Sequence, residues 1–207
     1  MLDAVTIKPP GNERELATMS SDFDASDKEL LAKVARGSES AMLVLIERHL
    51  PAMLALARRM VGHGDADDIA QEALFRLWQK SGELEVDGRG VRPWLYRVAS
   101  NLCLDQLRKR RELTGTDLPE QATEPDQDRQ LNEQQTAKIM ENAITQLPER
   151  QRLALALFHF EDLSQRETAK IMDVTEEALE SLLRRARARL KTQLDSSWQD
   201  LMPEPHQ

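Results

Sequence analysis

A single cysteine, Cys103, leaves nothing to pair with inside the chain. That excludes a disulfide-framed secreted domain and fits a reducing compartment. Aromatic residues make up only 4% of the 207 positions, and glycine supplies just 8. Strands draw on aromatic and β-branched residues and sheets need Gly-rich turns, so this scarcity favours helices. No apolar run approaches the roughly 20 residues of a membrane span. The first 25 residues carry no apolar stretch behind a basic start, so no secretory signal is expected. His49, His63, His159 and His206 are scattered and share no zinc spacing with the lone cysteine. A Gly-rich phosphate loop and a Gly-x-Ser-x-Gly elbow are both missing. The acids Asp65, Asp67 and Asp68 cluster at a helix start, where capping accounts for them. The expectation is a cytoplasmic binding protein with no enzymatic activity, no metal, no cofactor and no membrane insertion of its own.

What is present is charge, unevenly placed. The formal net charge is -8, which by itself argues against a nucleic-acid partner. By segment, however, 27–111 is net +3 and 137–195 is neutral, while 1–26, 112–136 and 196–207 carry -3, -6 and -2. The acid sits in the tails and one central stretch, and the two apolar-periodic blocks are neutral to basic, so the total is a poor guide to partners.

Residues 1–26 mix Pro9, Pro10 and Gly11 with acids and show no sustained period; they are expected to be disordered. From Asp27 to Arg111 the pattern is helical. Leu30, Leu31, Val34 and Ala35 fit a short helix. Ala41, Met42, Leu45, Ile46, His49, Met53, Leu56, Ala57 and Met60 continue a stripe at three- and four-residue steps, with a kink expected at Pro51. Asp65 is positioned to N-cap a third helix with the stripe Ala70, Ala73, Leu74, Leu77 and Trp78. After the loop Glu83–Gly90, a fourth helix buries Leu95, Val98, Ala99, Leu102, Cys103 and Leu107 and ends in Arg108-Lys109-Arg110-Arg111. Residues 112–136, with two prolines and many acids and amides, read as a flexible acidic linker. A second helical domain follows over 137–195, then a tail, 196–207. The fold class is therefore all-α: two small helical domains joined by that linker.

The second domain carries a helix-turn-helix pattern. Ser164-Gln165-Arg166-Glu167 is a capping box opening a short helix to Met172. A break at Asp173-Val174-Thr175 leads to a longer helix reaching about Lys191. Thr168, Ala169, Met172, Val174, Leu179, Leu182, Leu183 and Ala186 supply a shared core. Thr175, Glu176, Glu177, Glu180, Ser181, Arg184 and Arg185 face outward, and Arg184, Arg185, Arg187, Arg189 and Lys191 suit phosphates.

The stretch LPERQRLALALFHFEDLSQRETAKIMDVTEEALESLLRRARARL, from Leu147, resembles the C-terminal, promoter-reading domain of extracytoplasmic-function sigma factors of the sigma-70 family. DADDIAQEALFRLWQK from Asp65 and RPWLYRVASNLCLDQLRKRR from Arg92 resemble the same family's N-terminal domain. The resemblance implies a transcription initiation factor, at work in a stress response, whose partners are core RNA polymerase, promoter DNA and a cognate anti-sigma factor. It implies that Asp68, Gln71, Glu72, Phe75 and Gln79 grip polymerase, with Phe75 as an aromatic anchor beside acids. It implies that Arg97, Ser100, Asn101 and Arg108, with the preceding loop, meet the minus-ten element. Thr175, Glu177, Ser181, Arg184, Arg185 and Arg187 would meet the minus-thirty-five element.

One departure stands out. Asp173 occupies a turn position that is often glycine in the family, and Glu176, Glu177 and Glu180 make the reading helix acidic. A glutamate there either complements the helix dipole or accepts from a cytosine amine. Two rival readings stay open: a sigma-like mimic that binds an anti-sigma factor without DNA, and a stand-alone helix-turn-helix regulator.

Overall fold

The computed structural model describes residues 22–114, 139–161 and 163–201, without the side chains of 114 and 195–201. The expected disorder of the first residues, the linker from 115 onward and the end of the tail lie outside these residues. Every regular element among the described residues is helical. The first domain is built from α1 (Asp27–Val34), α2 (Glu39–Val61), α3 (Ala66–Lys80) and α4 (Arg92–Thr114). The second contains a helical segment at 139–145, α5 (Glu149–Leu155), a π-helical turn (Ala156–Phe160), α6 (Gln165–Met172) and α7 (Glu176–Leu201).

α2 is the spine of the first domain and packs against α1, α3 and α4. Its stripe is buried as expected, with Val44 and Val61 added and Ile46 only partly covered. Pro51 does not end it; one helix runs from Glu39 to Val61. That helix is long and apolar enough to cross a membrane by length and composition. Its apolar stripe is instead the protein's own core, and Glu47 and Arg48 sit midway along it. At its end, two arginines from elsewhere cap orphan carbonyls: Arg110 Nη1 donates to Val61 O (3.0 Å) and Arg152 Nη1 to Met60 O (2.6 Å).

Order begins before Asp27. Asp22 is fully buried, accepting from Lys33 Nζ (2.5 Å) and Ser40 Oγ (3.0 Å). The extension expected to be disordered through residue 26 therefore gives its last five residues to the fold. Local composition hid this, because the partners lie 11 and 18 residues downstream.

Asp27 is a second polar node. Its carboxylate accepts from Arg48 Nη1 (2.9 Å) and the Val91 amide (3.3 Å) and bonds His49 Nε2 (2.9 Å). Gly90, at φ +67, lies so close that an added Cβ would meet Asp27 Oδ2 at 2.4 Å, so this turn requires glycine. Burial alone would raise the Asp27 pKa, but the His49 bond and charge, Arg48 and the Val91 N–H together lower it from 3.8 to about 2. A depressed carboxylate stabilises the fold above its unfolded pKa, and that share disappears as pH falls through the folded value. Between pH 4 and pH 2 the first domain should lose ~1–2 kcal/mol from this node after solvent screening. Thermal melts of wild type and Asp27→Asn check it. The variant should be less stable at pH 7, and the gap should narrow toward pH 2; a constant gap would contradict the assignment.

The two domains are not apart. α4 packs against α5 and α6, and α2 against α5 and the π-helical turn. A single apolar core runs from Leu30 in the first domain to Leu183 in the second. A smaller cluster of Ile144, Leu147, Leu155 and Ala186, with Leu190 against it, closes the far side of the second domain.

Candidate functional site

α3 presents the face expected to meet a protein partner. Asp68, Gln71 and Gln79 are exposed, and Glu72 and Phe75 are half-buried. Glu72 is held by Arg76 one turn on (2.7 Å). Trp78 departs from expectation: it lies 41% exposed rather than in the core, and its ring meets Phe75 edge-on at 6.0 Å. The buried stripe is Ile69, Ala70, Ala73, Leu74 and Leu77, and Trp78 falls one position beyond it. The face thus carries an aromatic pair where one aromatic was expected. Beside it lies a cavity of about 270 Å³ lined by acids and bases, among them Asp65, Asp68, Arg76, Asp105 and Lys109. Asp65 precedes α3 but makes no side-chain cap; its carboxylate accepts from Gln106 Nε2 (2.7 Å) and Arg110 Nη2 (2.6 Å), tying α3 to α4.

On α4, Arg97, Asn101 and Arg108 are exposed as expected, whereas Ser100 is buried and its hydroxyl has no partner. Ser100 follows Ala99 and lies four residues after Tyr96, both buried, which puts it on the covered side of the helix. In this arrangement it is not available to a ligand. Val98, Leu102 and Leu107 are half-buried. Trp94 is half-buried too and packs on the core. Cys103 is wholly buried, and burial pushes its thiol up to about 12, so it is inert.

The helix-turn-helix forms as the sequence suggested. Ser164 and Glu167 make a reciprocal capping box. Asp173 takes the left-handed conformation (φ 53, ψ 54) at the turn, the geometry glycine adopts freely and Asn and Asp tolerate better than most other residues. Thr175 caps α7, accepting from the Ala178 amide at 3.2 Å. The Glu177 carboxylate is held below its usual range by its own backbone N–H and then by Thr175. Thr175 and Glu177 are therefore already engaged at the helix start. Glu176, Glu180, Arg184 and Arg185 are exposed and Ser181 half-exposed. Arg185 Nε donates to Ser181 O (3.2 Å), and Arg187 Nη2 meets His159 Nε2 at 3.0 Å.

The seam between the domains holds the residues that sequence reasoning missed. Glu161, buried at the end of the π-helical turn, accepts from Arg59 Nη1 (2.9 Å) and the Tyr96 hydroxyl (2.5 Å). Arg92 Nη2 donates to the Glu161 backbone oxygen (2.5 Å), and Arg59 also stacks over Phe160 at 4.4 Å. Burial, then the Glu161 bond, pushes the Tyr96 hydroxyl up to about 12, so it stays a donor. Arg152 ties Met60 of one domain to Thr145 and Leu147 of the other through their carbonyls. Its guanidinium is buried, and that burial lowers its pKa. Two arginines near the expected minus-ten surface are also engaged: Arg97 faces Asp173 (3.6 Å) and Arg89 faces Glu167 (3.5 Å).

Comparison with known proteins matches two family models to the chain. Residues 45–112 match sigma-70 region 2, and residues 137–190 match sigma-70 region 4. The chain is 33% identical over 168 residues to the ECF RNA polymerase sigma factor SigM of Mycobacterium tuberculosis, covering 81% of this chain and 84% of that one. It is 26% identical to SigW of Bacillus subtilis, covering 81% and 96%. Among solved structures, RpoE in complex with the anti-sigma factor NepR, from Bartonella quintana, aligns with a TM-score of 0.61 at 27% identity, covering 73% and 94%. CnrH in complex with the cytosolic domain of CnrY shares the fold, with a TM-score of 0.62 at 24% identity, covering 83% and 99%.

Proposed function

Because this chain belongs to the extracytoplasmic-function sigma factors of the sigma-70 family, a non-enzymatic family that binds RNA polymerase and DNA to direct transcription, we propose which of its surfaces meets which partner. Core RNA polymerase is met by the α3 face: Asp68, Gln71, Glu72, Phe75 and Gln79, with Trp78 joining Phe75. The observation that supports it is an aromatic pair, exposed Trp78 against half-buried Phe75, flanked by acids on a helix whose apolar stripe is already satisfied. The minus-ten element is met by Arg97, Asn101 and Arg108 with the loop before α4. The minus-thirty-five element is met by the outer face of α7, where Arg184, Arg185 and Arg187 position the helix on phosphates. Thr175, Glu177 and Ser181 lie at the end nearest the bases.

In this assignment the domains are 27–111 and 137–195, and the acidic residues 112–136 tether them. The matched structures of CnrH and RpoE hold the cytosolic domain of CnrY and the anti-sigma factor NepR. We place this chain in the same kind of circuit: a cytoplasmic factor restrained by a cognate anti-sigma protein and released in a stress response.

Run-off transcription with core polymerase and a promoter library tests the function. Transcripts that depend on this chain are expected, and their absence from every template would leave a sigma-like mimic. With a promoter in hand, Arg184→Ala should weaken binding of the holoenzyme across sequences. It should also flatten the log–log salt dependence by ~0.9, the share of one phosphate contact. A loss confined to one base pair would make Arg184 a base reader instead.

A further inference from the structure

A cavity of about 490 Å³ lies between the start of α1 and the loop before α4, with Ser26, Asp27 and Lys28 on one side and residues 86–90 on the other. α1 has no part in the surfaces assigned above. One of its residues nevertheless holds the loop.

We propose that Asp27 is a positioning residue for recognition of the minus-ten element, its carboxylate fixing where the loop 83–90 stands against the opened strand. This rests on the assignment of that loop, with α4, to the minus-ten element.

The contact is made where the loop turns into α4. Gly90 takes φ +67, and the Asp27 side chain fills the space its own would need: an added Cβ would lie 2.8 Å from both Asp27 Cβ and Cγ. The next residue, Val91, donates its amide to Asp27 Oδ2 at 3.3 Å. Val91 is also the residue whose carbonyl accepts the first bond of α4, from the Leu95 amide. One carboxylate thus seats two successive backbone positions and sits at the positive end of the helix dipole.

The carboxylate has little freedom of its own. It is 14% exposed, and α2 holds both oxygens at 2.9 Å, Oδ1 through Arg48 Nη1 and Oδ2 through His49 Nε2. The loop has few other ties. Leu84 and Val86 rest on the core. Beyond them the tip is braced by itself: Asp87 accepts the Arg89 amide (2.9 Å) and guanidinium (2.6 Å), and its carbonyl accepts the Gly90 amide (3.0 Å). Arg89 also reaches outward to Glu167, but at 3.5 Å and open to water. The tip therefore moves as one small unit, and Asp27 places that unit relative to the spine of the domain. A hydrogen bond to a base edge weakens steeply with distance and angle, so a displaced loop loses discrimination before it loses contact.

The test uses full-length factor bound to core polymerase and fork templates with a single-stranded minus-ten segment, each base changed in turn. Arg89→Ala, at the tip, identifies the position the loop reads as the one whose base preference falls. Asp27→Ala should lower the preference at that same position by about fivefold or more, the share of a lost base contact. Preferences elsewhere and affinity for core polymerase should be unchanged. Gly90→Ala should give the same signature from the loop side. Because both substitutions act on one contact, the double variant should lose less than the product of the two.

An aspartate that only stabilises the fold would weaken binding to every template alike, in step with the melting temperature. That result, or single effects that simply multiply, would overturn the positioning role. Asp27→Asn keeps a carbonyl for the Val91 amide and should recover part of the preference at pH 7, though not the stability lost with Arg48 and His49. Should Asp27→Ala fail to fold, Gly90→Ala and Asp27→Asn carry the same comparison. If no position responds to Arg89→Ala, the loop's assignment falls and this role with it. Failure of the sigma reading itself would appear separately, as wild type that supports no run-off transcription.

Discussion

Phe75→Ala combined with Trp78→Ala should weaken the complex with core RNA polymerase by about 30-fold or more while leaving the helical fold intact. Anchor aromatics in an interface are worth ~2 kcal/mol or more when truncated, and 1.4 kcal/mol is a factor of ten in affinity. The two rings lie against each other on α3, and the core beneath is closed by Ile69, Ala73, Leu74 and Leu77, so the fold depends little on them. A titration of labelled factor with core enzyme measures the change, and circular dichroism verifies folding. Affinity within threefold of wild type would move the interface off this face. Because the pair is in contact, the single substitutions should not add up to the double one.

Arg152→Ala should be the most damaging single substitution to stability outside the apolar core. It strips hydrogen bonds from three carbonyls, at Met60, Thr145 and Leu147, and leaves a hole where a long side chain was buried. Loss of a buried, charge-assisted network of this kind costs ~3 kcal/mol. For a chain of this size, that lowers the melting temperature by roughly 10 °C. Arg152→Lys should recover little, since one ammonium cannot span carbonyls that approach a planar fork from different directions. A drop of less than about 3 °C in either variant would show that water replaces the guanidinium.

What the sequence made legible was local. The capping box of Ser164 and Glu167 spans three residues and needs no knowledge of the rest of the chain. The stripe of α2 and the helix-turn-helix core follow from helical period for the same reason. Asp65 shows where local reasoning stops. It sits where a cap belongs, yet its carboxylate is claimed by Gln106 and Arg110, 41 and 45 residues away. The seam is the extreme case: Tyr96 and Glu161 are separated by 65 residues, and Arg59 and Glu161 by 102. No periodicity signals such pairs. Tyr96, the chain's one tyrosine, carries no local sign of its partner. Ser100 and Trp78 fell on opposite sides of their expected boundaries because one helical position turns a side chain by about 100°.

The joined core between the domains also has a meaning for cooperativity. One apolar cluster spans both domains, from Leu30 to Leu183. Neither domain can open without baring apolar surface that the other covers, so a substitution that loosens one is felt in the other.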